Sequence, residues 1–295
     1  MNEIREYYLI LVTTPIYAIV IGSEILFSYL QRKNYYSVKG TMANIYLTTL
    51  NMSLDIFVRG LCLFVLNYFY QFKFMELPNK YAYWGLLLIG QDFMFYWLHR
   101  IDHVCRMFWA VHVTHHSSEE YNLTVGFRSS VFQPLYRFIY FIPLALLGFK
   151  GIDIMFIYSA TQIYGILIHT QTVDKLGFLE YFLSTPSHHR VHHASNVKYL
   201  DKNMGMLLII WDKIFGTFET EKEKVVFGLT ENIKTYNPIK MVFHEWVNIG
   251  TDLKKTTSIK TKLKYIFGPP GWSHDGSKKT SRQMQKELAR KNSTI

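Results

Sequence analysis

Ten of the twelve histidines in this 295-residue chain fall between His99 and His193. They come in short groups: HRIDH at 99–103, HVTHH at 112–116 and HRVHH at 189–193. On a helix, His99 and His103 lie one turn apart on one face, and so does His112 with His115 or His116. The third group repeats the HxxHH spacing of the second. Imidazole is the commonest protein ligand for metals and suits iron, zinc, copper and nickel. Eight to ten such rings are too many for one ion, so the economical reading is two ions. No Glu-x-x-His pair is present, which sets the site apart from the carboxylate-rich di-iron centres of soluble bundles. A strongly cationic centre of this kind could activate dioxygen for attack on an unactivated C–H bond. Cys62 and Cys105 are too few for a disulfide framework, and Cys105 reads as a small buried filler rather than a thiolate ligand.

These histidines need elements to carry them. The chain is 49% apolar and 17% aromatic but only 18% charged, and its apolar residues come in spans rather than stripes. Spans are expected at 7–30, 44–70, 81–98, 131–149 and 152–168. The second carries Asp55 and Arg59, which at i,i+4 can pair and lower the cost of burying charge in lipid. The third runs straight into His99, and Asp92, Tyr96, His99 and His103 share one helical stripe. Asp92 then either orients a ligand or pairs with a neighbouring helix. Lys150 and Gly151 make the last two spans a hairpin, so an even number of crossings separates the histidine groups. Both groups therefore face one compartment, as a shared site requires.

Basic residues place that face in the cytoplasm. Arg32, Lys33, Lys39, Arg100, Arg106 and Arg128 lie on the histidine side, against Arg5, Lys73, Lys80 and Lys150 on the other. Residues 251–295 hold eleven Lys and Arg against three Asp and Glu, out of a net charge of +10. Anionic headgroups fit this tail better than nucleic acid does. The apolar run within 200–219 is too short to cross and is expected in the interface or over the metal site as a lid. The N-terminus lacks the features of a signal peptide. The expected architecture is an all-α integral membrane protein with about five transmembrane helices. It is one domain, 1–295: N-terminal spans 1–98, a cytoplasmic histidine-rich helical cap 99–230 interrupted by the 131–168 hairpin, and a basic soluble tail 231–295. The membrane is equally well a bacterial inner membrane or the endoplasmic reticulum.

The three boxes, in this order and spacing, resemble those of the fatty acid hydroxylase/sterol desaturase superfamily over about residues 84–230. The stretches HHSSEEYNLTVGFRSSVFQ, STPSHHRVHH, DKN and IIWDKIFGTFE are similar to the branch that cleaves glycerol ethers. The resemblance implies a non-haem di-iron enzyme that uses O2 and draws on an electron donor, a reduced pterin in that branch. It implies metal-ligand roles for His99, His103, His112, His115, His116, His189, His192 and His193, with His169 and His188 as further ligands. Glu120, Asn122 and Asp212 lie in shared stretches and are expected to orient the ligands. The implied reaction is hydroxylation of an alkylglycerol ether carbon, releasing aldehyde and glycerol. Rival readings on the same scaffold are a sterol desaturase or methyl oxidase and a fatty acyl hydroxylase. A rival of another class is a non-catalytic membrane protein that binds metal.

Overall fold

The computed structural model describes residues 2–293 and is all-helical, with no strand among them. Its helices are α1 (Asn2–Leu30), α2 (Val38–Tyr70), α3 (Lys80–Val104), α4 (Arg106–His116), α5 (Arg137–Leu146) and α6 (Gly151–Leu167). After them come α7 (Pro186–His192), α8 (Ile210–Phe215), α9 (Pro238–Leu253), α10 (Ile259–Phe267) and α11 (Ser281–Ser293). Polar caps start the long ones. Ser37 accepts from Gly40 N at the head of α2, and Asn79 accepts from Tyr81 N and Ala82 N at the head of α3.

Two helices are long and apolar enough to cross a membrane, Tyr8–Leu30 and Val38–Tyr70. The second starts six residues earlier than its apolar run, because Ser37 caps it. The expected span at 131–149 is not one helix. Residues 133–135 form a 3-10 turn around Pro134, and α5 then runs for ten residues, about 15 Å against a hydrocarbon thickness of roughly 30 Å. The apolar run is continuous in sequence, but proline disrupts regular helix hydrogen bonding. The hairpin itself is present. Phe74 N donates to Leu146 O at 2.8 Å, and Tyr83 OH donates to Asp153 at 2.9 Å. These bonds gather the 71–79 loop, the head of α3 and the α5–α6 turn at the end away from the histidines.

The core between α2, α3, α5 and α6 contains Leu66, Leu87, Leu98, Phe141, Leu144 and Ile154, all buried. At its edge the half-buried Asp55 pairs with Arg59 at 3.7 Å, as its spacing suggests. It also pairs with Arg137, whose guanidinium lies 4.4 Å from the centre of the Tyr158 ring. Asp92 orients no ligand. Its carboxylate accepts from Leu207 N, Leu208 N and the Trp211 indole at 2.9–3.0 Å, pinning the segment after the third box onto α3.

The basic tail is folded against the cap. Buried Arg106, at the head of α4, reaches Glu245 at 2.7 Å and Asp252 at 2.8 Å on α9, and Gln285 of α11 donates to Leu200 O. Burial pushes the Asp252 carboxyl up, but hydrogen bonds from Lys255, Lys278 and Arg106 outweigh it and hold the group at about 2.

Candidate metal centre

The first two boxes sit on different helices. Cys105 takes an extended conformation (φ −112°, ψ 119°), ending α3 and starting α4. The chain folds back there, so His112 comes within 3.1 Å of His99, Nε2 to Nε2. The third box rides on α7, seven residues long, capped by Thr185 and started by Pro186. Arg190 fixes α7 by a forked pair with Glu221 at 2.7–3.1 Å and by bonds to Thr170 O and Val173 O. Arg128 donates to Thr114 O, Ser117 Oγ and Asn44 Oδ1, fixing the last turn of α4.

Nine imidazoles converge in two groups. His99, His103, His112, His116 and His192 form one, and His115, His169, His189 and His193 the other, with the ligand atoms of each group within 4.8 Å of one another. Adjacent histidines divide between the groups: His115 and His193 go to the second, His116 and His192 to the first. Consecutive helical residues point about 100° apart, so an HH pair serves two centres rather than one. The rings of His116 and His193 stack at 4.4 Å, joining the groups.

Proton positions follow from the partners. The Nδ1 atoms of His99, His115, His169 and His192 donate to the carbonyls of Met204 (2.8 Å), Arg128 (2.8 Å), Gly165 (2.6 Å) and Lys202 (3.0 Å). A carbonyl only accepts, so in the neutral ring each Nε2 is left with a lone pair. Those lone pairs face inward. His169 Nε2 and His115 Nε2 stand 3.4 Å apart with no proton to share between them. In the first group His103 Nε2 and His192 Nε2 are buried without a hydrogen-bond partner. Burial, and then the neighbouring imidazoles, pull His112, His116, His189, His192 and His193 well below the usual histidine pKa, and burial takes His115 down to about 4. Neutral rings with convergent lone pairs suit a cation, and nitrogen donors in this number suit a first-row transition metal. The residues present fit such ions.

His188 stays outside both groups. Its Nδ1 lies 3.2 Å from Leu183 O and 3.4 Å from Thr185 N, capping α7, and its ring packs on Phe218. Glu120 accepts from Ser37 N and so belongs to the start of α2. Asn122 caps the 3-10 turn at Leu123–Phe127 and donates to Tyr35 O. Neither touches an imidazole of the two groups. Asp212 does act near the site. It accepts from Met204 N and Gly205 N at 2.7 and 2.8 Å, gripping the peptide whose carbonyl receives the His99 proton.

Three polar side chains escape the sequence reading. Asp201 Oδ1 lies 3.3 Å from His103 Nδ1, and its backbone is left-handed at φ 55°. Asp102, inside HRIDH, lies 3.8 Å from His112 Nδ1 and accepts from Tyr136 OH and Gln133 Nε2. Burial pushes its carboxyl up to about 7 against those two hydrogen bonds. Ser130 Oγ lies 3.0 Å from His112 Nδ1. The aspartate inside the first box was the available signal. A cleft of roughly 600 Å³ opens onto the first group, with His103, Trp109, His116 and His192 on one wall and Glu245 and Lys278 of the tail on another.

Residues 84–217 match the family model described as fatty acid hydroxylase. Human alkylglycerol monooxygenase is 46% identical over 192 residues, which is 64% of this chain and 42% of that protein. The Xenopus tropicalis alkylglycerol monooxygenase is 41% identical over 212 residues, covering 70% and 47%. An ornithine lipid hydroxylase of Rhizobium tropici is 32% identical over 132 residues, covering 44% and 40%. The matched region therefore spans less than half the length of these relatives. No solved structure matches the chain. All nine convergent histidines lie inside the stretch that matches the fatty acid hydroxylase family model.

Proposed function

We propose that the chain is a membrane-bound, O2-dependent lipid monooxygenase with two iron ions, one in each histidine group, and that its substrate is an alkylglycerol ether. The reading is supported above all by the inward-facing lone pairs of His115 and His169, each held by a carbonyl behind the ring. The ligand set is the nine convergent histidines, and His188 is left out of it. When bound, the iron ions would supply O2 activation and attack on an unactivated C–H bond.

The protein's own contribution is orientation and exclusion. Carbonyls of Met204, Arg128, Gly165 and Lys202 fix ring angle and tautomer, which raises ligand basicity. Asp201 does the same for His103, and Asp212 steadies the peptide behind His99. Burial keeps bulk water from the ligands. The ether substrate is favoured because both alkylglycerol monooxygenases exceed 40% identity, while the ornithine lipid hydroxylase reaches 32%. The balanced reaction takes the ether –CH2–O– carbon, O2, two electrons and two protons to a hemiacetal and water. The hemiacetal then breaks its C–O bond to give fatty aldehyde and glycerol. Electrons come from a soluble donor on the histidine face, in our reading the cytoplasm, with a reduced pterin as the candidate.

The test is O2-dependent turnover by the purified iron-loaded protein on a panel of alkylglycerols, acyl lipids and sterols. Aldehyde release from alkylglycerols alone is the expected result. Turnover confined to acyl lipids or sterols would overturn the substrate assignment.

A further inference from the structure

The tail carries a feature that catalysis does not use. On α9, Ile239, Phe243 and Val247 recur at i, i+4, i+8, and all three are exposed, Val247 at 64%. On α10, Ile259, Leu263 and Phe267 repeat the pattern, with Ile259 at 71%. The two helices pack against each other, and each buries a different face: Met241, Val242, Ile249 and Asp252 on α9, and Tyr265 on α10. Apolar stripes this regular on the solvent side of short helices are costly in water.

Two observations say what covers them. The first is position. Met241 and Val242 pack against Ala43 and Leu47 in the opening turns of α2. That helix has 33 residues, about 50 Å, against a hydrocarbon core of roughly 30 Å, so turns at its ends emerge at the membrane surface. The opening turns are cap-side, since Asn44, Thr48 and Asn51 bond to Thr124, Phe127 O and Ser130 O. Their outer face shows Met42, Ile45 and Tyr46, continuous with the lipid-facing side of the span. The second observation is charge. Lys240, Lys254, Lys260, Lys262 and Lys264 flank the stripes within the tail's excess of positive charge. Apolar stripes bordered by lysines are the pattern of helices lying in a bilayer surface rich in anionic lipid.

We propose that α9 and α10 lie in the plane of the membrane interface on the histidine side, their apolar stripes in the acyl boundary and their lysines on anionic headgroups. Through the Arg106 ion pairs with Glu245 and Asp252, this places the wall of the metal-side cleft on the membrane surface. The inference needs no turnover and stands or falls apart from the choice of substrate.

The test is nitroxide accessibility in the full chain, in a Cys62→Ala, Cys105→Ala background. Labels are placed at Val247→Cys, at Leu263→Cys and, as the water-exposed reference, at Lys286→Cys on α11. In nanodiscs containing phosphatidylglycerol, labels at 247 and 263 should collide severalfold more with O2, relative to a water-soluble nickel chelate, than the label at 286. Lys260→Glu with Lys262→Glu should restore nickel access, because each lysine at an anionic surface strengthens docking about fivefold. Equal nickel access at all three sites would overturn the proposal. So would spin–spin broadening at 247 or 263 that disappears on dilution with unlabelled protein, which would assign the stripes to a second copy of the chain.

Discussion

At the scale of single residues, the metal reading rests on what stands behind each ring. His115 and His169 keep their Nδ1 protons on carbonyls, so their facing nitrogens cannot bond to each other and are free to bind a cation. His169→Ala should therefore leave the protein inserted and remove one of two bound ions, a loss that metal analysis of purified protein reads directly. Asp201→Ala should weaken metal binding about 10–100-fold, the usual penalty for losing a ligand's hydrogen-bonded partner. His188→Ala should leave the metal content unchanged and cost about 0.5–2 kcal/mol through the cap of α7, measured by denaturant unfolding. Histidine spacing made eight of the nine convergent residues legible, and His169 was reachable from its place after the last span. The carbonyl partners were not, because every residue has one and no side-chain pattern marks it. His188 misled because its neighbour His189 is a true member of a group, and side chains 100° apart look equivalent in a string of letters.

Among elements, the decisive ones are the break at Cys105 and the segment after the third box. Apolar and histidine periodicity run across Cys105 without a glycine or proline, so the fold-back of α4 onto α3 leaves little trace in sequence. The segment at 200–219 packs as a cover, held by Asp92 through Leu207, Leu208 and Trp211. Asp92→Asn should loosen that cover by about 1–3 kcal/mol, the usual cost of weakening hydrogen bonds to a buried charge. It should also speed hydrogen exchange at Leu207 and Leu208. The second box shows why the tail matters: Arg106 at the head of α4 is buried between two acidic partners on α9. Arg106→Ala should cost about 1–3 kcal/mol by removing the charged bonds to Glu245 and Asp252, although Lys255 and Lys278 still pair Asp252, a loss visible as early proteolysis of the tail. The tail's composition predicted a basic surface, but its burial against α4 depends on long-range ion pairs that composition does not locate.

For the whole molecule, hydropathy and turn residues point to an all-helical chain with about five spans; the described residues are all helical, and two helices are long and apolar enough to cross a membrane. Hydropathy overextends the span at 131–149, where Pro134 and Pro143 leave α5 with ten residues. Metal-free protein should also respond to acid in a defined direction. His99, His112, His115, His116, His169, His189, His192 and His193 are held by burial below their unfolded value near 6.5, so the stability they contribute is fully present above that pH. It is lost as pH falls toward about 4, the value for His115. Asp252 acts lower, losing its contribution as pH falls from about 3.9 through about 2. Bound metal should shift the first transition to lower pH, because protons then compete with the ion.

The measurement that bears most directly on the two-group centre is metal stoichiometry of the purified, membrane-extracted protein by elemental mass spectrometry. Two iron ions per chain, falling to one in His169→Ala, is the predicted result. A folded protein that turns over lipid with a single ion, or with none, would contradict it.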